Sequence, residues 1–135
     1  MILPSFHIGV ADSRGTIGLM DFDRVFDLDD EQLSAQKRLK IAGARKAMLR
    51  LRGGWRPGPA TLDRAPRLHD WSFREMAPYC VVLIGTVVGH PRLGDRPLIQ
   101  TSFLVGIDAT HLKWARTLSR FYVLGEPASQ NGGWE

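Results

Sequence analysis

Residues 79–90 read YCVVLIGTVVGH, a nearly continuous run of apolar and β-branched side chains. The run is apolar on both faces, which is typical of a strand that is covered by protein on both sides. Residues 72–77, 98–108 and 114–124 also favour extended structure, and short connections separate them. We therefore predict a central strand over residues 79–90, within an antiparallel meander of three to five strands.

The last predicted strand combines aromatic and arginine side chains on one face. Alternation places on this face Trp114, Arg116, Leu118, Arg120 and Tyr122. Such a face is able to stack bases and neutralise phosphates. The arginines are equally able to pair with Asp95 or Asp108 across the sheet, and we favour this interpretation from the sequence because it requires no ligand.

Charge is strongly segregated along the chain. Residues 1–31 carry seven acidic side chains against two arginines, whereas residues 32–56 carry eight basic side chains and no acidic one. The basic segment predicts a helix over residues 29–53. Asp29 or Asp30 suits its N-cap, and the glycine pair that follows the last arginine provides its stop.

The predicted helix has two apolar sectors with a basic stripe between them. One sector contains Leu33, Ile41, Ala44, Ala47, Met48 and Leu51, and the other contains Ala35, Leu39, Ala42 and Leu49. We therefore expect the helix to contact protein on two sides. Arg38, Arg45 and Arg52 form the stripe, which has to face water or an anion. It is either a solvated face, partly neutralised by the acidic segment, or a surface for phosphates or an acidic protein.

A length of 135 residues is typical of a single domain. Residues 6–10 and 16–20 favour the arms of a hairpin, and residues 61–65 favour one helical turn. The predicted fold class is α+β, with a long basic helix packed on an antiparallel sheet. The segments in chain order are an acidic, irregular or hairpin segment (1–28), the basic helix (29–53), a connector (54–70), the sheet (71–125) and a flexible tail (126–135).

Several kinds of protein are disfavoured by what the sequence contains. Cys80 is the single cysteine and lies in an apolar run, so we predict a buried, unreactive thiol and a reducing, cytoplasmic location. The N-terminal residues do not resemble a signal peptide, and no window approaches ~20 apolar residues, which argues against export and membrane insertion. The four histidines lack metal-binding spacing and no glycine-rich nucleotide motif occurs, so we predict no metal and no cofactor.

His90 and Asp95, on the loop after the central strand, are weak candidates for catalysis. Neighbouring strands are expected to bring near them Thr101, Ser102, Arg116 and Tyr122. A histidine among hydroxyl groups and an arginine suits acid–base chemistry. The turn-forming residues of this loop offer a simpler explanation, so we favour a protein that is not an enzyme.

The C-terminal half carries a signature in four stretches. They are PRLHDW at residues 66–71, GHPRLGD at 89–95, TS at 101–102 and ARTLSRFYVLG at 115–125. This signature resembles that of a family of small bacterial proteins of unknown function, some of them carried by phages and mobile elements. The resemblance covers residues 53–127. It implies a shared domain shape, with no activity, cofactor or substrate attached.

We predict a non-enzymatic binding protein that engages nucleic acid or a nucleoprotein complex. The expected contact residues are Lys37, Arg38, Arg45, Lys46, Arg52, Arg116, Arg120 and Tyr122. The resemblance suggests an accessory or inhibitory role in a phage or mobile element. Two alternatives stay open: a protein-interaction module or homo-oligomer that uses the two-sided helix, and a small enzyme centred on His90.

Overall fold

The computed structural model describes residues 10–11, 17–26, 31–78 and 80–128. Three helices lie in these residues: α1 (Phe22–Val25), α2 (Ala35–Arg52) and α3 (Pro59–Asp63). Eight strands accompany them: β1 (Val10–Ala11), β2 (Ile17–Leu19), β3 (Arg67–Ala77), β4 (Cys80–His90), β5 (Gly94–Gln100), β6 (Leu104–Asp108), β7 (Trp114–Thr117) and β8 (Phe121–Leu124). The predicted mixed α+β fold is confirmed.

The described strands form one sheet in the order β1-β2-β6-β7-β8-β3-β4-β5. Neighbouring strands are antiparallel except β3 and β8, which run parallel and pair Leu68 with Leu124. The sheet is therefore mostly antiparallel, as predicted, but larger than a meander of three to five strands. The N-terminal segment accounts for part of the difference, because β1 pairs with β2 and β2 adds to the edge of β6.

The sheet curls around an apolar interior. The chain leaves β5, beside β4, and enters β6, beside β7, after only residues 101–103. At this bend the backbone N–H of Thr101 donates to the carbonyl of Leu83 at 2.8 Å, which holds the segment against β4. Strands β3, β4, β6, β7 and β8 consequently share one core. Its buried side chains include Leu68, Trp71, Leu83, Leu104 and Ile107.

Helix α2 begins at Ala35 and not at residue 29. Its N-cap is Ser34, whose side-chain oxygen accepts a hydrogen bond from the backbone N–H of Lys37 at 3.1 Å. Serine satisfies a first-turn N–H as well as aspartate does, and this one stands directly before the helix. The predicted N-cap at position 29 or 30 is therefore wrong.

Helix α2 packs on the outer face of the sheet and ends at Arg52, directly before the glycine pair that was predicted as its stop. It forms a second core with residues of β2, β6 and β7. Gly106 of β6 permits this contact, because a Cβ there would lie 3.0 Å from Leu51 Cδ1 and 3.3 Å from Leu19 Cδ2. The buried helix residues all belong to the first predicted sector: Ile41, Ala44, Met48 and Leu51.

Two segments predicted as single strands are each divided in two. Residues 98–108 separate into β5 and β6 at the bend, and residues 114–124 form the hairpin β7–β8. In the hairpin turn the backbone N–H and the hydroxyl of Thr117 both donate to the carbonyl of Arg120, at 2.8 and 3.2 Å. A local hydroxyl bond of this kind reverses the chain without the glycine or proline that marks many turns. The predicted alternation therefore stops at Thr117.

The predicted connector contains structure of its own. The helical turn expected at residues 61–65 is present as α3, which begins slightly earlier with Pro59 in its first turn. Strand β3 begins at Arg67 and not near residue 71, since the carbonyl of Pro66 already accepts a hydrogen bond from the N–H of Val123 at 2.9 Å. The connector thus ties α3 to β8.

The single cysteine lies at the start of β4. Cys80 is a buried free thiol, as predicted, and burial raises its pKa. A raised pKa keeps the side chain in the less reactive thiol form.

Several predictions fall outside the described residues. They concern the acidic residues 27–30, the hairpin loop at residues 12–15 and the predicted tail from residue 129 onward. The prediction that the acidic segment partly covers helix α2 also concerns residues outside the described ones. The prediction of a flexible tail from residue 126 is wrong for residues 126–128, because the N–H of Asp70 donates to the carbonyl of Glu126 and the N–H of Ala128 donates to the carbonyl of Trp71, both at 2.8 Å. Among the described helices, none combines the length and the apolar character required to cross a membrane.

Candidate anion-binding surfaces

The solvent-facing side of helix α2 carries a dense group of cations. Lysine or arginine occupies seven of its 18 positions, and no position is acidic. The half-buried member of the seven is Arg38, whose Nε donates to the carbonyl of Leu33 at 3.2 Å. The other six are exposed, and we call them the helix cations: Lys37, Lys40, Arg45, Lys46, Arg50 and Arg52.

The second apolar sector of α2 is also exposed. Leu39 is 74% accessible and Leu49 is 51% accessible, and Ala35 and Ala42 are exposed beside them. Within the described chain the helix therefore contacts protein on one side, whereas two sides were predicted. Apolar side chains and cations alternate on the surface that faces solvent.

Two arginine and two aromatic side chains form a row of contacts that begins in the last turn of α2. The guanidinium carbon of Arg50 lies 4.0 Å from the ring centre of Trp55, and the rings of Trp55 and Phe121 lie 5.9 Å apart. On the far side of Phe121, the guanidinium carbon of Arg116 lies 5.3 Å from the ring centre. Cation–π attraction favours both guanidinium positions. These four side chains, the arginine–aromatic track, lead from the helix to the β7–β8 hairpin.

A cleft of about 380 Å³ lies beside that hairpin. Its walls are the turn after β4, the bend after β5 and the β7–β8 turn. The residues that line it are all described, and none of them is acidic. We call it the hairpin cleft. Its polar lining includes His90, Arg92, Ser102, Ser119, Arg120 and Tyr122.

The structure brings part of the predicted catalytic group together and leaves part of it out. Thr101, Ser102 and Tyr122 line the cleft with His90, as expected, whereas Asp95 and Arg116 do not. Asp95 is exposed, and its Oδ1 accepts a hydrogen bond from the backbone N–H at position 89 at 2.8 Å. This bond closes the β4–β5 turn. Asp95 thus has a turn-forming role.

His90 is held in place through one of its ring nitrogens. Its Nδ1 accepts the backbone N–H groups of Arg92 and Leu93, both at 3.0 Å. Because Nδ1 is an acceptor, the neutral ring carries its proton on Nε2. Burial lowers the pKa of His90 below its ordinary 6.5, and the charges of Arg120, Arg92 and Arg96 lower it further. Near pH 7 the ring is a neutral donor.

Hydroxyl groups line the other two walls. Thr101 Oγ1 is fully engaged, since it accepts from the N–H of Leu83 at 3.0 Å and donates to the carbonyl of Ser102 at 2.8 Å. The Oγ atoms of Ser102 and Ser119 lie 3.3 Å apart and share one hydrogen bond, which leaves further capacity on both. Burial raises the pKa of Tyr122, so its phenol keeps its proton.

Two arginines beside the cleft are incompletely satisfied. Arg116 Nε and Arg120 Nε are buried and find no hydrogen-bond partner among the described residues. A buried donor without an acceptor typically costs about 1–3 kcal/mol. Burial lowers the pKa of Arg116, and the charge of Arg120 lowers it further. The two guanidinium groups therefore disfavour each other in the absence of an anion.

The predicted pairing of these arginines with Asp95 or Asp108 is wrong. Asp108 Oδ1 accepts the backbone N–H groups of Thr110 and His111, and its Oδ2 accepts that of Lys113, each at 3.1 Å. Both carboxylates are used to hold turns. Charge alternation in the sequence does not reveal this, because the competing donors are backbone groups.

A smaller cleft of about 180 Å³ adjoins the hairpin cleft and shares Ser119 and Arg120 with it. Arg64, which follows α3, and Arg116 also line it. The two clefts place arginines from separate elements around Arg120. An oxyanion is the ligand that such a lining recognises.

The sequence identified some of these residues and missed others. Arg116, Arg120 and Tyr122 were predicted as contacts, and the structure places all three at the clefts. Arg64 and Arg92 were not predicted. The signature stretch GHPRLGD could have indicated Arg92, because its residues are typical of a turn. A turn places the Arg92 side chain beside the end of the preceding strand.

No curated protein and no solved structure matches the chain. The model of a family of unknown function (DUF6634) matches residues 33–130, which include α2 and every residue of both clefts. This match covers more than half of the 135 residues, so the chain belongs to that family.

Proposed function

We propose that the protein is a non-enzymatic nucleic-acid-binding protein whose main contact surface is the solvent-facing side of helix α2. The observation that supports this proposal most strongly is the set of six exposed helix cations on a helix without an acidic residue. Lysine and arginine bind the phosphate backbone and release its condensed counterions. Among the described residues, α2 packs on the sheet through its opposite side, and these six side chains are exposed.

The arginine–aromatic track supports the same proposal. Trp55 and Phe121 are half-buried, so part of each ring remains accessible beside a guanidinium group. Aromatic faces stack bases without sequence preference, at about 1–3 kcal/mol per base. The expected ligand is therefore a single-stranded nucleic acid, bound with little base specificity.

The test is fluorescence anisotropy with labelled single-stranded DNA, RNA and duplex DNA at several salt concentrations. In the helix variant, Lys46→Gln, Arg50→Gln and Arg52→Gln are combined. We expect about tenfold weaker binding of single strands at moderate salt, since three phosphate contacts are lost.

The control variant combines Arg67→Gln, Arg74→Gln and Lys113→Gln. These side chains are exposed outside α2 and the two clefts, and the net charge changes by the same amount. The control is expected to bind like the wild type. Equal weakening in both variants, or wild-type binding that does not depend on salt, would refute the proposal.

The proposal extends to an accessory or inhibitory role on a nucleic-acid machine of a phage or mobile element. This part rests on the resemblance of the signature alone. Its test is affinity capture from the native host with and without nuclease. Loss of all captured proteins after nuclease treatment argues for nucleic acid as the direct partner.

A second candidate function is self-association through α2. It is favoured by the exposure of Leu39 and Leu49, and by the charge complementarity between the basic helix and the acidic residues 27–31. Light scattering at high concentration and low salt tests it. A dimer in the wild type that dissociates in a Leu39→Gln, Leu49→Gln variant supports self-association, and a strict monomer excludes it.

A further inference from the structure

We propose that the hairpin cleft is a second binding site, which takes a phosphate monoester with Arg120 as its central contact. This site goes beyond the helix surface and does not depend on polynucleotide binding. Arg120 lines both clefts, and its Nε is buried without a partner among the described residues. A phosphate monoester in the cleft would bring acceptor oxygens beside the guanidinium group of this side chain.

The donors around the cleft match a tetrahedral oxyanion. Arg120 and Arg92 provide guanidinium forks, which bind phosphate oxygens in pairs. Neutral His90 offers Nε2–H, and the hydroxyl of Ser102, on the bend after β5, lies 3.3 Å from that of Ser119, in the β7–β8 turn. Because these donors come from three separate walls, they suit an acceptor with oxygens in three directions better than a planar carboxylate.

Charge favours a doubly charged anion. Arg120 and Arg92 line the cleft, Arg116 lines the adjoining one, and no lining residue of either is acidic. A phosphate monoester carries about −1.5 to −2 near neutral pH, more than a carboxylate. The positive charge of these arginines disfavours the binding of a cation in the cleft.

The size and the apolar part of the cleft indicate an ester in place of free phosphate. A volume of about 380 Å³ lies within the range of about 300–1,000 Å³ that is typical of small-molecule sites. Leu93 and Ile99 belong to the same lining and provide apolar contacts. We expect them to contact the organic group of the ester.

The test is isothermal titration calorimetry of the full chain with phenyl phosphate, inorganic phosphate and acetate at equal ionic strength. We expect phenyl phosphate to bind more tightly than inorganic phosphate, and acetate to show no binding. Arg120→Gln is expected to weaken phenyl phosphate binding at least about tenfold, since a charged hydrogen bond is lost. Arg67→Gln, on the exposed start of β3, is the matched control and is expected to bind like the wild type.

The variant Arg120→Lys distinguishes two causes of weaker phenyl phosphate binding, which are loss of the guanidinium group and loss of the fold. It keeps the charge and removes the fork, so its affinity is expected to lie between those of the wild type and Arg120→Gln. Circular dichroism verifies that both variants are folded. No binding of phenyl phosphate to the wild type, equal binding of acetate, or unchanged binding in folded Arg120→Gln overturns the proposal.

Two sources of the phosphate monoester are separated by oligonucleotides that differ only at the 5′ end. Tighter binding of the 5′-phosphorylated form, lost in Arg120→Gln, identifies a polynucleotide end. Equal binding of both forms, together with phenyl phosphate binding, identifies a small phosphate ester. If neither oligonucleotide binds but phenyl phosphate does, the helix proposal fails and the cleft proposal stands.

Discussion

The helix cations and the arginines of the clefts are similar side chains in different surroundings. The helix cations are exposed, so water and salt screen them and each contributes little to stability. Arg116 and Arg120 are half-buried, and each has a buried Nε without a partner among the described residues. The helix cations can thus be recognised from the number of charges in one segment of the sequence. The cleft arginines are distinguished by their burial, which only the structure shows.

This difference has a functional consequence. Exposed cations on one side of a helix attract any polyanion and impose little geometry on it. Half-buried guanidinium groups accept an anion only where its oxygens reach the donors. We therefore expect weak selectivity on α2 and stronger selectivity at the hairpin cleft.

The largest effect is expected from a change that separates the helix from the sheet. Gly106→Val places side-chain atoms where Leu51 Cδ1 would already lie 3.0 Å from a Cβ. Overpacking of this kind is expected to lower the free energy of unfolding by about 2–3 kcal/mol. Urea denaturation measures it, with Gly106→Ala as the milder comparison.

If the two regions are independent, folded Gly106→Val loses nucleic-acid affinity and keeps phenyl phosphate affinity. The reason is that Gly106 supports α2 and lines neither cleft. Equal loss at both sites would show that they act as one.

A smaller effect with the opposite sign is expected from Arg116→Met. Methionine keeps the apolar contacts and removes the unpartnered Nε and the repulsion by Arg120. Against these gains stands the loss of the contact with Phe121, so we expect a net increase in unfolding free energy of about 1 kcal/mol in phosphate-free buffer.

Urea denaturation of Arg116→Met is compared with that of Arg67→Met, which changes an exposed arginine. The control is expected to stay within about 0.5 kcal/mol of the wild type. A destabilised Arg116→Met protein would show that the guanidinium already has a satisfying partner.

A substitution at Gly43, within helix α2, is expected to stabilise the protein. This glycine is exposed, and a Cβ there would meet no atom within 4 Å. Gly43→Ala is therefore expected to raise the unfolding free energy by about 0.5–1 kcal/mol, because alanine loses less conformational freedom in a helix. Urea denaturation is the measurement, and no gain would indicate that the glycine meets a contact outside the described residues.

The smallest effect is expected in the pH dependence of stability. The pKa of His90 is lowered in the folded state by burial and by Arg120, Arg92 and Arg96, so the unfolded chain binds a proton more readily. As pH falls through the ordinary 6.5 toward the lowered value, His90 removes stability; above this window its contribution is constant.

Urea denaturation at about pH 8 and about pH 5.5 measures this contribution. His90→Gln is expected to lose less stability on acidification than the wild type. His111→Gln, which changes an exposed histidine, is the control. Equal losses in His90→Gln and the wild type would contradict the assignment.

The elements with strong periodicity were predictable from the sequence. The apolar run of residues 79–90 is strand β4, and the basic segment is helix α2. The bend at Thr101 and the turn at Thr117 were not predictable, because a hydrogen bond to a distant strand fixes the first and a local hydroxyl bond fixes the second. The bend and the turn each interrupt a segment in which the strand-like alternation of side chains continues without a break.

The candidate site also has one part that was predictable from the sequence and one part that was not. Charge and helical periodicity predicted four of the six helix cations as contacts, whereas Lys40 and Arg50 were not predicted. The hairpin cleft required the path of the chain, since His90 and Arg120 lie far apart in sequence and line one surface only after the sheet curls. The engagement of Asp108 with backbone N–H groups was also invisible in the sequence.

The most direct test of the account is the salt dependence of affinity for a 5′-hydroxyl single strand. The wild type is compared with the helix variant and with an Arg92→Gln, Arg120→Gln double variant, which changes only arginines of the hairpin cleft. We expect the slope of log affinity against log salt to decrease in magnitude by about 2 in the helix variant and to stay near the wild-type value in the double variant. An unchanged slope in the helix variant would contradict the assignment of nucleic-acid binding to α2.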